Sequence, residues 1–157
     1  MVRATERDTA LILRFIKSLA EYERASHKVT ATEQDLRAHL FGSRSIADAA
    51  IAYADDEPAG FVVFFPTFST FLGRPGLYVE DLFVEPRWRR HGLGRKLFAY
   101  VANLAATRGC HSVSWSVLRW NEPAIRFYRS LGAEPVEEWA GFGISGEAFA
   151  RLAREAI

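Results

Sequence analysis

A strand-like segment, a glycine-containing turn and a helix-like segment follow one another between Leu77 and Gly109, and this order limits the folds open to the chain. Residues 77–84 are apolar except for two adjacent carboxylates and end just before Pro86, which is typical of a strand. After the turn, apolar residues recur at a spacing of three to four up to Gly109, which predicts a helix that a glycine ends. The segment therefore indicates an α/β sheet.

The rest of the chain shows the same two periodicities. Apolar stripes predict helices over residues 8–24 and from Pro123 to Gly132. A capping box of Thr32 and Asp35 predicts a short helix after the first of these and before the first strand. Alternating apolar runs separated by turn residues predict the strands. These are residues 46–54, 60–67, 77–84 and 111–118, with one or two further strands within 135–144. We expect a mixed sheet with helices.

Composition predicts a single globular domain, residues 1–157, because 49% of the residues are apolar and 25% are charged. The formal charge of +1 gives no overall field that would attract nucleic acid or an acidic membrane, so neither is expected as a partner. No run approaches the ~18 apolar residues of a membrane span, and the N-terminus lacks the apolar core of a signal peptide. With one cysteine and no internal disulfide, a cytoplasmic location is predicted.

The turn at residues 89–94 reads Arg-Arg-His-Gly-Leu-Gly and carries the clearest chemical signal. It lies between a strand and a helix, so backbone N–H groups converge at a helix N-terminus, where anions bind. Gly92 and Gly94 leave room for a phosphate. Leu97 stands where a dinucleotide fingerprint has its third glycine, and no P-loop ending follows. The Gly-x-Gly-x-x-Gly at 141–146 has too little chain after it for a dinucleotide unit and predicts a turn before a final helix.

At these motifs the chain resembles the GNAT superfamily of N-acetyltransferases, whose pyrophosphate loop reads Gln/Arg-x-x-Gly-x-Gly/Ala between a strand and a helix. It is most similar to the spermidine/spermine (diamine) acetyltransferase branch. The similarity covers residues 19–23, 77–84, the glycine turn, and 120–128 with 131–133, in the same order. It implies a mixed, mostly antiparallel central sheet flanked by helices on both faces, acetyl-CoA as co-substrate, and a homodimer.

The resemblance also implies roles for individual residues. The backbone of Leu82, Phe83 and Val84 would pair with the pantetheine arm of CoA, and Tyr22, Glu23 and Glu80 would contact the acceptor amine. Tyr128 would be the general acid and Glu80 would accept the amine proton. The remaining residues of the cofactor groove would be Arg89, Arg90, His91, Gly92, Leu93, Gly94, Arg95, Asn121, Glu122, Pro123 and Ala124.

The chemistry of amine acetylation agrees with these roles. An alkylamine of pKa ~10.4 is only about one part in a thousand neutral at pH 7, so attack needs a proton acceptor such as Glu80. The thiolate leaving group needs a donor, which a phenol at the start of a helix can supply. Without the neighbouring motif, Tyr128 would be read as a core aromatic. Glu80 and Asp81 are adjacent on a strand, so we expect them on opposite faces unless a bulge intervenes, with Asp81 structural.

Several alternatives remain open at this stage. The amine could be a diamine, a polyamine or a lysine-like amino acid; the near-neutral charge and Arg74 speak against a polycation. The chain could instead be a non-catalytic module that senses acetyl-CoA, or could act on a protein amine. Cys110 beside His111 invites a covalent acetyl carrier, but neighbours on a strand diverge, so a small buried side chain and direct transfer in a ternary complex are expected. The four histidines show no ligand spacing, so no metal is predicted.

Overall fold

The computed structural model describes residues 1–138 and 140–156. These form two compact units, residues 1–118 and residues 119–156, and each is described by itself. The first unit holds strands β1 (Val2–Arg3), β2 (Asp48–Ala54), β3 (Glu57–Ser69), β4 (Arg74–Val84) and β5 (Val113–Trp115), with helices α1 (Thr9–Tyr22), α2 (Glu33–Leu36) and α3 (Leu93–Thr107). The second holds α4 (Glu122–Ser130) and α5 (Gly146–Ala153).

The five strands form one sheet in the order in which they occur in the chain. The first four are antiparallel neighbours, and β5 joins β4 in parallel. The β2–β3 turn consists of Asp55 and Asp56, both at positive φ, as the tight turns of twisted hairpins require. The sheet is mixed, as the periodicity predicted, and mostly antiparallel, as the resemblance implied.

Helix α1 covers one face of the sheet with an apolar stripe. Phe15 is fully buried and stacks on Phe61 at 5.4 Å between ring centroids, with Phe83 at 6.3 Å. Val62, one residue along β3, faces the other side by strand alternation. There α3 packs with its own buried stripe, which includes Leu97 and Val101. The two helices thus fix β3 and β4 between them.

Two predicted strand regions differ from the structure. The strand expected over residues 111–118 is only Val113–Trp115, because its pairing with β4 ends at Val79. Within residues 135–144, the described positions, 135–138 and 140–144, contain no strand. Their apolar side chains, such as Val136 and Phe142, are exposed, so nothing holds them in a sheet. Trp139 of this prediction lies outside the described residues.

Candidate active site

The turn before α3 has the backbone geometry of an anion site. Gly92 is the residue that precedes the helix, with φ +76°, and Arg90 has φ +65°. A left-handed conformation suits glycine, which has no Cβ to clash. No side chain caps the helix at Gly92. The first N–H groups of α3 therefore point away from the helix without the usual cap, as at helix ends that bind phosphates.

The charges around this helix start also favour an anion. The first turn of α3 has no acidic residue, although carboxylates are the side chains that a helix dipole stabilises there. Arg95 and Lys96 stand there instead, and Arg90 lies two residues before Gly92. Cations at a helix N-terminus oppose the dipole, so this arrangement becomes favourable when a negatively charged group binds among them. The residues from Arg90 to Arg95 that the sequence predicted for this turn thus lie at the start of α3.

Strands β4 and β5 separate before β4 ends. They pair only from Leu77 to Val79, whereas β4 continues to Val84. The N–H of Glu85 donates to the carbonyl of Ala59 on β3 at 2.9 Å. Because a trans peptide points its C=O and N–H in opposite directions, the Val84 carbonyl faces the edge away from β3. The last residues of β4 therefore present an edge to which an extended molecule can add like a strand.

A β-bulge interrupts β4 at Glu80. Val63 pairs with Asp81, but the next residue of β3, Phe64, pairs with Val79, so Glu80 is the extra residue. A bulge rotates the side chains around it, and the expectation that Glu80 and Asp81 diverge as ordinary strand neighbours does not hold here. Glu80 is exposed, whereas Asp81 is largely buried beside it. The bulge thus leaves the carboxylate of Glu80 accessible and keeps the buried carboxylate of Asp81 next to it.

Asp81 carries the largest change in acidity at the site. Burial raises the pKa of its carboxyl to about 6 from 3.8, and the negative charges of Glu80 and Glu23 add to the rise. Glu23, the residue that follows α1, also has a raised pKa because of partial burial. Both of these charges act on Asp81, so the three carboxylates share one region of the first unit. Asp81 was expected to be structural, and this environment is the part that sequence reasoning missed.

Arg89 does not extend toward the start of α3. Its Nε donates to the Val84 carbonyl at 2.9 Å, and its Cζ lies over the ring of Tyr22 at 4.9 Å and over that of Phe83 at 5.5 Å. Tyr22 ends α1 and is 36% exposed. The first arginine of the glycine turn is therefore directed to the end of β4 and to a residue predicted to contact the amine.

The second unit places its own predicted residues on α4. Asn121 is buried, and its Oδ1 accepts the N–H of Ala124 at 3.3 Å, so this side chain caps the helix. Pro123 follows in the first turn, where its missing N–H costs nothing. Tyr128 lies in the last turn, not at the start of the helix as expected, and is half-buried beside the ring of Phe127 at 5.5 Å.

Cys110 and His111 lie at the opposite end of β4. The N–H of His111 donates to the carbonyl of Pro75, whereas Val84 marks the other end of the strand. Nine residues of strand separate the two places by roughly 30 Å. Cys110 is half-buried and follows the end of α3, outside any strand. A role as acetyl carrier has no support from this position.

The family follows from comparison with known proteins. The acetyltransferase (GNAT) family model matches residues 13–133, which is more than half of the chain and includes both the glycine turn and Tyr128. The chain belongs to the acetyltransferase (GNAT) family. Its mostly antiparallel sheet and its glycine turn between a strand and a helix are structural features that the resemblance of the motifs implied.

Relatives of this GNAT chain match it over nearly its whole length. It is 38% identical to the thialysine N-epsilon-acetyltransferase of Bos taurus, over 98% of this chain and 96% of that protein. It is 30% identical to an L-ornithine N5-acetyltransferase of Arabidopsis thaliana, over 92% of this chain and 83% of that protein. The solved structure of an integron cassette protein of V. cholerae superposes with a TM-score of 0.80 at 26% identity, over 97% of this chain and 95% of that one.

These findings make the chain an N-acetyltransferase, and acetyl-CoA is the acetyl donor of the GNAT family. The alternative of a non-catalytic acetyl-CoA-binding module is set aside. Among the described residues, no helix is long and apolar enough to cross a membrane. The described part of the chain also contains no group of three or more His, Cys, Asp or Glu side chains placed to hold a metal ion.

Proposed function

We propose that this enzyme transfers the acetyl group of acetyl-CoA to a primary amine of a small molecule, and that the amine belongs to the side chain of a lysine-like amino acid or to a diamine. The observation that carries the proposal is the bulge at Glu80, which sets an exposed carboxylate immediately before the free edge of β4. Relatives named for thialysine and for ornithine support it, because both of these are amino acids with a side-chain amine.

Glu80 makes the amine reactive in this proposal. The amine arrives protonated, and a carboxylate both attracts the ammonium and accepts its proton, directly or through water. The neutral nitrogen then forms a bond to the acetyl carbon, and the bond from that carbon to sulfur breaks. Tyr128 donates a proton to the departing thiolate, and the second proton of the nitrogen, released as the amide forms, returns to the phenolate through water. No covalent acetyl-enzyme is needed, so transfer is direct in a ternary complex.

The donor is held by backbone more than by side chains. Leu82, Phe83 and Val84 offer the β4 edge to the pantetheine arm, and residues 90–95 offer the helix N-terminus to the pyrophosphate. The carbonyl of Val84 is already bonded to Arg89, so this acceptor is not open to the arm. From the resemblance alone, we also propose Asn121, Glu122, Pro123 and Ala124 as cofactor-binding residues.

The three carboxylates of this region favour an amine that carries more than one positive charge. Glu23, Glu80 and Asp81 together attract cations, whereas Arg74 was expected to repel them. Arg74 lies six residues before Glu80 along β4 and donates to the carbonyl of Gly109. Six strand residues span roughly 20 Å, beyond a Debye length of ~8 Å in physiological salt. Arg74 therefore does little to repel a polyamine at Glu80, and polyamines belong in the test.

Release of free CoA thiol tests the proposal. Purified enzyme is given acetyl-CoA and, one at a time, ornithine, lysine, thialysine, putrescine, spermidine and a lysine-containing peptide. We expect thiol release with an amino acid or a diamine, matched mole for mole by acetylated amine in a mass spectrum. Turnover of the peptide alone, or of no amine while acetyl-CoA binds, would contradict the proposal.

We also propose a homodimer, a single domain over residues 1–157 and a cytoplasmic location. The resemblance to diamine acetyltransferases supports the dimer, and the length supports one domain. A single cysteine fits a reducing compartment. Sedimentation equilibrium gives the oligomeric state directly, and a monomer at micromolar concentration would overturn the dimer.

A further inference from the structure

Arg89 connects three segments that are distant in the chain. It belongs to the turn before α3, its Nε bonds the last carbonyl of β4, and its guanidinium lies over Tyr22 at the end of α1. The same guanidinium lies over Phe83, whose ring also packs on the buried face of α1 through Phe15. Tyr22 directly precedes Glu23, and Phe83 follows Asp81 by two residues, so Arg89 contacts the neighbours of two of the carboxylates.

The contacts use the features that distinguish arginine from a simple positive charge. A planar guanidinium can lie over aromatic rings and donate from Nε at the same time. Its Nε already donates to a neutral carbonyl, and its flat face lies over two rings, so this side chain is not arranged like a phosphate ligand. Arg90 and Arg95, next to the helix start, remain for that role.

We propose that Arg89 is a positioning residue for the acceptor amine: it holds Tyr22 and Phe83 against the end of β4 and so fixes the wall of the amine site. The inference rests on the proposed function, in which Tyr22 contacts the amine. Arg89 touches neither substrate. It acts through the tyrosine ring, and its loss therefore affects the amine and leaves the donor site largely intact.

The first test separates the two Michaelis constants. Arg89→Gln removes the positive charge and the planar guanidinium that lies over the rings. We expect the KM for the amine to rise roughly three- to thirtyfold, the factor that one cation–π contact and one hydrogen bond supply. The Kd for acetyl-CoA should change less than twofold. Arg89→Lys keeps a positive charge but has neither the Nε donor nor the flat face, so it should resemble Arg89→Gln.

Two neighbouring arginines provide matched controls. Arg87 lies two positions earlier and pairs with Glu57 at 2.6 Å, away from Tyr22, so Arg87→Gln should leave both constants unchanged. Arg90→Gln also removes one positive charge from the glycine turn. It should raise the Kd for acetyl-CoA and leave the KM for the amine unchanged. If Arg89→Gln behaves like Arg90→Gln and Arg89→Lys restores acetyl-CoA binding, then Arg89 is a phosphate ligand and the inference is wrong.

A second test needs no enzymatic turnover. Arg89→Gln, Tyr22→Leu and the double variant are unfolded in urea, with acetyl-CoA absent. If the two side chains act as one unit, the double variant loses less stability than the sum of the single losses. Strict additivity would overturn the inference. If the parent enzyme acetylates no amine in the panel, the proposed function fails, and this cycle still decides whether Arg89 holds Tyr22.

Discussion

Asp81 is held where a negative charge is unfavourable. Its carboxyl is largely buried, and two other carboxylates raise its pKa further, to about 6. The folded state therefore binds a proton at this group at pH values at which the unfolded chain, near the ordinary pKa of 3.8, has released it. Stability from the protonated form is complete below 3.8 and is lost as the pH rises through about 6.

Asp81→Asn tests this balance, because asparagine has the same shape without the charge. Above about pH 7 we expect the variant to be more stable than the parent, by at most about 3 kcal/mol for a shift of this size. The difference should vanish below about pH 4, where the aspartic acid is neutral in both states. Urea unfolding across this range measures it. Glu80→Gln removes one of the charges that raise this pKa, so it should give a smaller gain of the same sign. A difference for Asp81→Asn that does not depend on pH would contradict the assignment.

Tyr128 is the residue whose hydroxyl, and not its ring, carries the proposed chemistry. Tyr128→Phe keeps the ring beside Phe127 and removes only the proton donor. We expect acetyl-CoA to bind as before and kcat to fall roughly 10²–10⁴-fold, the usual range for a lost general acid. Steady-state kinetics and a direct binding measurement give the two numbers. Preserved turnover would mean that another group or water protonates the thiolate.

At the scale of elements, the start of α3 is the feature on which donor binding depends. A side chain at Gly92 meets no neighbouring atom, but φ is +76°, so Gly92→Val is strained and also covers the N–H groups of the turn. We expect the KM for acetyl-CoA to rise at least tenfold, with much less change for the amine, since a charge-assisted phosphate contact supplies about that factor.

Gly109 gives a matched control at the other end of α3. It has φ +69° and equally open space for a Cβ, so Gly109→Val costs similar strain. Thermal unfolding should show a comparable loss of stability for the two variants, whereas only Gly92→Val should weaken acetyl-CoA binding. An unchanged KM for acetyl-CoA in a folded Gly92→Val enzyme would exclude a pyrophosphate at this turn.

Local signals predicted most of the elements. The capping box of Thr32 and Asp35 starts α2 as expected, and Gly109 follows α3 at positive φ. Strand ends were less predictable, because β5 stops where β4 leaves it and not where its alternation stops. The bulge at Glu80 depends on the register between β3 and β4, and no residue in β4 marks it in the sequence.

At the scale of the whole molecule, the sequence suggested residues for the site but not their surroundings. The motif around Gly92 pointed to a phosphate site because a strand, a turn and a helix are read from neighbouring residues. The direction of Arg89 depends on Tyr22 of α1, and the pKa of Asp81 is raised by burial and by Glu80 and, to a lesser extent, by Glu23 just after α1, a segment distant in the chain. Such contacts arise from packing between distant segments, which periodicity does not encode.

The central claim is that Glu80 takes the proton of the amine, and the pH dependence of kcat/KM tests it most directly. Parent, Glu80→Gln and Asp81→Asn are compared with one amine over the range in which all three stay folded. Glu80→Gln should lose activity near about pH 7 and regain part of it at alkaline pH, where solvent supplies the neutral amine. Asp81→Asn should follow the parent curve above about pH 7. The reverse result, with Glu80→Gln on the parent curve and Asp81→Asn inactive near neutrality, would contradict the claim and make Asp81 the base.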